Sequence, residues 1–313
     1  MKRRICQGAR LTCALLAASP LACVANISIQ LDYSYDIGGF FTAPRRTLMS
    51  SVASLFESRL QDTLSSITPG GGDHWTVQFY NPSDGSLTSV IDPTINLNTV
   101  KLYLGARVMG GGTLGVGGYG GVASASGSGS FINAISGRGQ SGVTGDSATA
   151  TDFAPWGGSI AFNSSASWYD TADPTVTDSF PGQSDFYSVA LHEVGHLMGI
   201  GTADSWLHAV NGSHQFTGAN AVARYGANVP LESDDGHFAE GTMSTVDGTV
   251  TAQEAAMDPT LTLGTRKHLT SLDVAALKDI GWTVVPEPSV LYLLALGGSG
   301  VLLLKRRSSG TAR

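Results

Sequence analysis

The stretch His192-Glu193-Val194-Gly195-His196-Leu197-Met198-Gly199 decides how this chain is read. On an α-helix, residues four apart lie one turn apart on the same face, so the imidazoles of His192 and His196 converge on one point. A neutral imidazole nitrogen is a good zinc ligand at about 2.0–2.1 Å. Glu193, beside the first histidine, projects next to that point and can take a proton from a water activated by the metal. With 7 His and 6 Glu among 313 residues, a His-Glu-x-x-His triplet arises by chance only about 0.003 times. A carboxylate on a largely apolar helix also needs a reason, and metal chemistry supplies one.

Around this motif, helical periodicity spans residues 184–200, after the breaker Pro181-Gly182. Two histidines do not complete a catalytic zinc (Zn2+) site, which takes three protein ligands and keeps one position open. The available third ligands are His208, His214, His237 and His268, or the carboxylates Asp204, Glu232 and Glu240. Residues 201–256 are polar and turn-rich, which places His208 and His214 in an exposed loop. A last helix over 269–280 sets Leu272, Ala276, Leu277 and Ile280 on one face, with His268 just before it.

Upstream, residues 26–43 alternate as a strand does, and 44–67 reads as an amphipathic helix with Leu48, Val52, Leu55, Leu60 and Leu64 on one stripe. Pro69-Gly70-Gly71-Gly72 stops it. His74, after this glycine turn, needs no function. Strands are expected at 75–80, 98–108 and 158–162, the last read either as a cleft-rim edge or as an ordinary buried strand. Residues 109–130 are rich in Gly, Ser and Ala and read as a flexible surface loop. Within them, Gly115-Val116-Gly117-Gly118-Tyr119-Gly120 matches the dinucleotide fingerprint formally. No amphipathic helix follows it, so the match carries no cofactor.

Composition closes off other classes. Lys+Arg number 18 and Asp+Glu 25, and four basic residues sit at each end, so residues 26–285 hold 10 basic and 24 acidic residues, a net −14. A body this acidic repels phosphate backbones, which excludes nucleic acid as a partner. The first 25 residues have the basic start and short apolar run of an export signal, with cleavage after Ala25. A lipobox at Leu21-Ala22-Cys23 fits less well because Pro20 precedes it. All three cysteines, Cys6, Cys13 and Cys23, fall in this segment, so the exported body has no disulfide and no thiol nucleophile. At the far end, Val285-Pro286-Glu287-Pro288 precedes fifteen mostly apolar residues, 290–304, and then Lys305-Arg306-Arg307. A helix of that length reaches about 22 Å, a short membrane span held by its basic end.

Two resemblances follow from these residues. The tail over 285–307 resembles the PEP-CTERM sorting signal of Gram-negative bacteria, which implies transient anchoring in the inner membrane, processing by an exosortase-type enzyme, and delivery to the cell surface or extracellular matrix. Residues 147–284 resemble the leishmanolysin-like branch of the metzincin zinc metalloproteases. The likeness rests on the helix motif, on Gly236-His237-Phe238-Ala239-Glu240, on Ala255-Ala256-Met257-Asp258-Pro259 and on the last helix. The usual metzincin third histidine would stand three residues after Gly199, where this chain has Thr202. In the leishmanolysin-like branch that histidine follows a long insertion, and His237 matches it. The resemblance implies an α+β catalytic domain with a twisted mixed sheet, an active-site helix, a methionine turn at Met257 and a C-terminal helix. It implies zinc held by His192, His196 and His237, Glu193 as general base, and a protein or peptide substrate. The expected organisation is a signal peptide over 1–25, an N-terminal part over 26–146 acting as a pro-region or upper subdomain, a peptidase core over 147–284, and the sorting tail over 285–313. Two alternatives stand beside it: a zinc peptidase using Glu232 or Glu240 as third ligand, and a non-catalytic surface or matrix protein with a structural zinc.

Overall fold

The computed structural model describes residues 27–176 and 178–285. The export signal expected over 1–25 and the tail beyond Val285 lie outside the described residues. Among the described residues, no helix is long and apolar enough to cross a membrane.

The chain opens with strand β1 (Ser28–Tyr35) and helix α1 (Ala43–Arg59), then strands β2 (His74–Tyr80), β3 (Leu87–Ile91), β4 (Thr99–Arg107), β5 (Gly115–Tyr119) and β6 (Gly121–Ser126). Helix α2 (Gly129–Gly137) leads to β7 (Gly157–Asn163), to short strands β8 (Trp168–Tyr169) and β9 (Ser184–Asp185), and to the motif helix α3 (Phe186–Leu197). The remainder comprises α4 (Asp204–His208), β10 (Val210–Asn211), β11 (Gln215–Phe216), α5 (Ala219–Tyr225), β12 (Val229–Pro230), β13 (Met243–Thr245), β14 (Ala252–Glu254) and α6 (Ser271–Asp279). This is a mixed α+β fold.

Its centre is a four-stranded mixed sheet in the order β1-β4-β7-β5, with β5 antiparallel to β7 and the other pairs parallel. Parallel neighbours need a crossover, and α1 lies in the one between β1 and β4. Pro44 sits in the first turn of α1, where a missing amide costs nothing. The helix buries Leu48, Met49, Val52 and Phe56 together with Val100, Leu102 and Leu104 of β4, Ile160 and Phe162 of β7, and Ala190, Leu191 and Val194 of α3. Helix α1 stops at Arg59 rather than running to residue 67. There the backbone is claimed by a β-type pairing, in which Val285 donates to the Arg59 carbonyl and Gln61 donates to that of Thr283. Leu60 and Leu64 are buried as the periodicity requires, but on extended chain.

Two further expectations are corrected. Residues 115–126 are not a flexible loop but two strands: β5 forms the edge of the central sheet, and β6 pairs with β2 in a second sheet, ordered β3-β2-β6. Glycine and alanine hide the strand signal because they have almost no side chain to alternate. Consequently β7, hydrogen-bonded on both sides, is an interior strand and β5 is the rim.

The expected division at residue 146 cuts through this sheet. β1, β4 and β5 come from before it and β7 from after, so the N-terminal part supplies three of the four central strands. A smaller core of Trp75, Val77, Phe79, Tyr103, Phe131 and Trp156 joins the second sheet to the first. Beside it, Arg138 is fully buried and donates to the carbonyls of Ser65, Asn96, Thr99 and Pro155. Burial without a carboxylate partner pulls its pKa down to about 10. The stretch 201–256 is turn-rich as expected, yet it holds two short helices and a three-stranded sheet of β10, β11 and β12.

Candidate metal centre

Helix α3 carries its motif because both ends are fixed. Asp185 caps its N-terminus, accepting from the Ser188 amide at 3.1 Å and the Ser188 hydroxyl at 2.6 Å, and is itself paired with Arg266. At its C-terminus Gly199 takes φ of 101°, and a methyl there would strike Phe153. Gly201 has φ of 75° and runs so close to Gly236 that a Cβ would overlap the Gly236 carbonyl. This pair of glycines therefore turns the chain out of the helix and lets the 234–237 segment lie against it. Trp206, fully buried, donates its indole N–H to the Asp235 carbonyl and holds that segment from beneath.

The result is a cluster of three imidazoles. His196 Nε2 lies 3.0 Å from His192 Nε2 and 3.0 Å from His237 Nε2. Each ring is oriented through its other nitrogen: His192 Nδ1 donates to the Ala256 carbonyl at 2.8 Å, and His196 Nδ1 to the Ile200 carbonyl at 2.8 Å. His237 Nδ1 donates to the Asp234 carboxylate at 2.9 Å. A carbonyl can only accept, so Nδ1 carries the proton and Nε2 presents a bare lone pair. Burial pulls His192 down to about 4 and His196 well below the usual imidazole range, so these two rings are neutral at ordinary pH. Nitrogen lone pairs facing one another at this distance repel unless a cation lies between them. Tetrahedral ligands on nitrogen–zinc bonds stand about 3.4 Å apart, close to the spacing found. Nitrogen-only ligation suits zinc and its neighbours rather than calcium or magnesium. The donor set fits the ion.

Glu193 lines the same cleft, about 650 Å³ in volume, together with the three histidines. Glu193 is 5% exposed, its carboxylate packed beneath β5. A methyl on Gly115 would come within 2.5 Å of Glu193 Oε1, and one on Gly117 within 2.9 Å of Oε2. The glycines that mimic a nucleotide fingerprint thus make room for the carboxylate. Burial raises the Glu193 pKa to about 8, while a hydrogen bond from the Gly117 amide pulls the other way. A cation at the histidines would lower it further.

The 255–258 turn completes the base of the site. Met257 is buried, and a methyl on Gly195 would lie 2.3 Å from its sulfur, so the helix needs glycine there for the turn to seat. Asp273 of α6 accepts from the amides of Ala256 and Met257 at 3.0 and 3.2 Å while forming a capping box with Thr270. The Met257 carbonyl in turn accepts from the Phe238 amide beside the third histidine. Sequence reasoning passed over Asp273, Gly115, Gly117 and Gly195. Only the capping pattern Thr270-x-x-Asp273 was a readable signal.

The other candidates lie elsewhere. Glu232 accepts from the Glu240 amide, and the Glu240 carboxylate holds Thr260. Glu240 groups instead with Glu254 and Asp258, around the Lys267 ammonium that Glu254 and Asp258 bind. His208 is exposed, and His214, also exposed, pairs with Asp235 at 2.8 Å. His268 packs on Tyr187, ring centres 5.7 Å apart. Asp204 opens α4. Exposed His74 pairs with Asp92 at 2.8 Å. No protein family, curated protein or solved structure was found to match the chain.

Proposed function

We propose that this protein is an exported zinc-dependent endopeptidase, with His192, His196 and His237 as ligands and Glu193 as general base. The convergence of three imidazoles beside a buried carboxylate in an open cleft supports this reading above all. A structural zinc has four protein ligands and is closed to solvent, whereas three ligands in a cleft leave a position for water and substrate. When bound, the ion supplies Lewis acidity, bringing the pKa of a water toward 7 and polarising a carbonyl. Glu193 takes the proton released by the attacking water and returns it to the leaving amine. The three Nδ1 hydrogen bonds hold the rings in one orientation through the reaction, so little reorganisation is needed. The free edge of β5 is suited to take an extended peptide by main-chain hydrogen bonds.

The export segment and tail extend the proposal to the cell surface or matrix of a Gram-negative bacterium, after release by an exosortase-type enzyme from a transient inner-membrane anchor. Metal analysis of the purified protein combined with casein digestion tests the activity. A stoichiometric zinc lost to chelator together with proteolysis is the expected outcome, and zinc without any hydrolysis would overturn it.

A further inference from the structure

Strand β5 has two faces. Gly115 and Gly117 look toward α3, as the contacts of an added methyl with Glu193 show. Strand alternation puts Val116 and Gly118, paired with Ala161 and Ser159, on the opposite face. That face floors a second groove of about 380 Å³, walled by Tyr80 of β2, Leu87 of β3 and Tyr119, with Arg107 at the end of β4. The two cavities share Val116 and Gly117 in their linings, so they flank the same edge strand on its two faces. Large apolar side chains stand open to solvent in the groove: Tyr80 is 66% exposed, Leu87 58% and Val116 47%. Exposed apolar side chains gathered in one groove are a feature that recognition surfaces share.

We infer that this groove is a substrate subsite taking large apolar or aromatic side chains from an extended peptide laid along β5. The inference rests on the peptidase reading and goes further by naming the substrate class. A strand added to a sheet edge points successive side chains to opposite faces. On β5, one set would enter the metal cleft and the alternate set would fall into the groove, about 6.6 Å apart along each face. Because both cavities are lined by β5, a single chain paired along that strand can reach both. The Arg107 guanidinium repels a lysine or arginine side chain from the groove, so the alternate positions are apolar or acidic, not basic.

Two peptides test this, alike except for phenylalanine or glycine at alternate positions on one side of the scissile bond. The parent enzyme should show a KM for the phenylalanine peptide lower by about tenfold, the scale of burying one such ring. Leu87→Asp and Tyr80→Ala should bring that KM up toward the glycine value while zinc content stays parental. Fluorescence anisotropy with Glu193→Gln, which binds without turnover, should give the same order. Equal KM values in the parent, or a preference surviving in both variants, would overturn the inference. So would a parental dimer that Leu87→Asp dissociates, because the groove would then serve a second copy. If the zinc-loaded parent cleaves neither peptide nor casein, the peptidase reading fails, and the anisotropy series still decides whether the groove takes the phenylalanine peptide.

Discussion

Glu193→Gln keeps the size of the buried side chain and removes the base. Hydrolysis should drop by at least about a hundredfold with zinc retained, as steady-state kinetics and metal analysis would read. Unchanged rates would discard the mechanism. His237→Ala should strip or weaken the metal, whereas His214→Ala, on an exposed ring, should leave it in place. Chelator titration of both variants separates them, and the reverse result would reassign the third ligand. Gly117→Ala presses a methyl against Glu193 and Ile160. Its expected signature is a kcat lower by about ten- to a hundredfold with parental zinc content, since small displacements of a reacting group have this effect.

At the scale of elements, the 255–258 turn and α6 act as one piece. Asp273→Ala would leave the Ala256 and Met257 amides buried without acceptors and remove the α6 cap. A loss of about 1–3 kcal/mol is expected from denaturant melts, with Asp273→Asn intermediate. His268, whose pKa is lowered by burial and by Arg266, gives the fold a pH dependence. Above pH 6.5 the ring is neutral in both folded and unfolded chains. Below it the unfolded chain takes up the proton first, so stability falls as pH falls. His268→Gln should make that acid limb shallower, and an unaltered limb would exclude His268 as its source. The α3 motif was legible because fixed spacing on a helix determines what two side chains share. The β5 strand was not, since three of its five residues are glycines and leave no side-chain alternation to reveal a strand. Nor could the end of α1 be read locally, because the backbone at Leu60 answers to residues 283–285, more than two hundred positions away.

For the whole molecule, the shared sheet means that a chain beginning at residue 147 should fail to fold. Such a chain would lack three of the four central strands, and circular dichroism with a proteolysis assay would show it. A stable, zinc-binding product would restore the idea of a separable N-terminal part. The resemblance at the tail predicts mature protein ending after about Pro288 by mass spectrometry; an intact Lys305-Arg306-Arg307 end in the inner membrane would favour a permanent anchor. The glycines of β5 have a further consequence, in genetics. Any missense change at Gly115 or Gly117 adds a β-carbon facing the Glu193 carboxylate, so every one of them is a candidate loss-of-activity allele. In a random mutant library, these lesions should yield full-length, metal-loaded antigen with catalysis cut at least about tenfold, a class that screens for expression or thermal resistance would score as wild type.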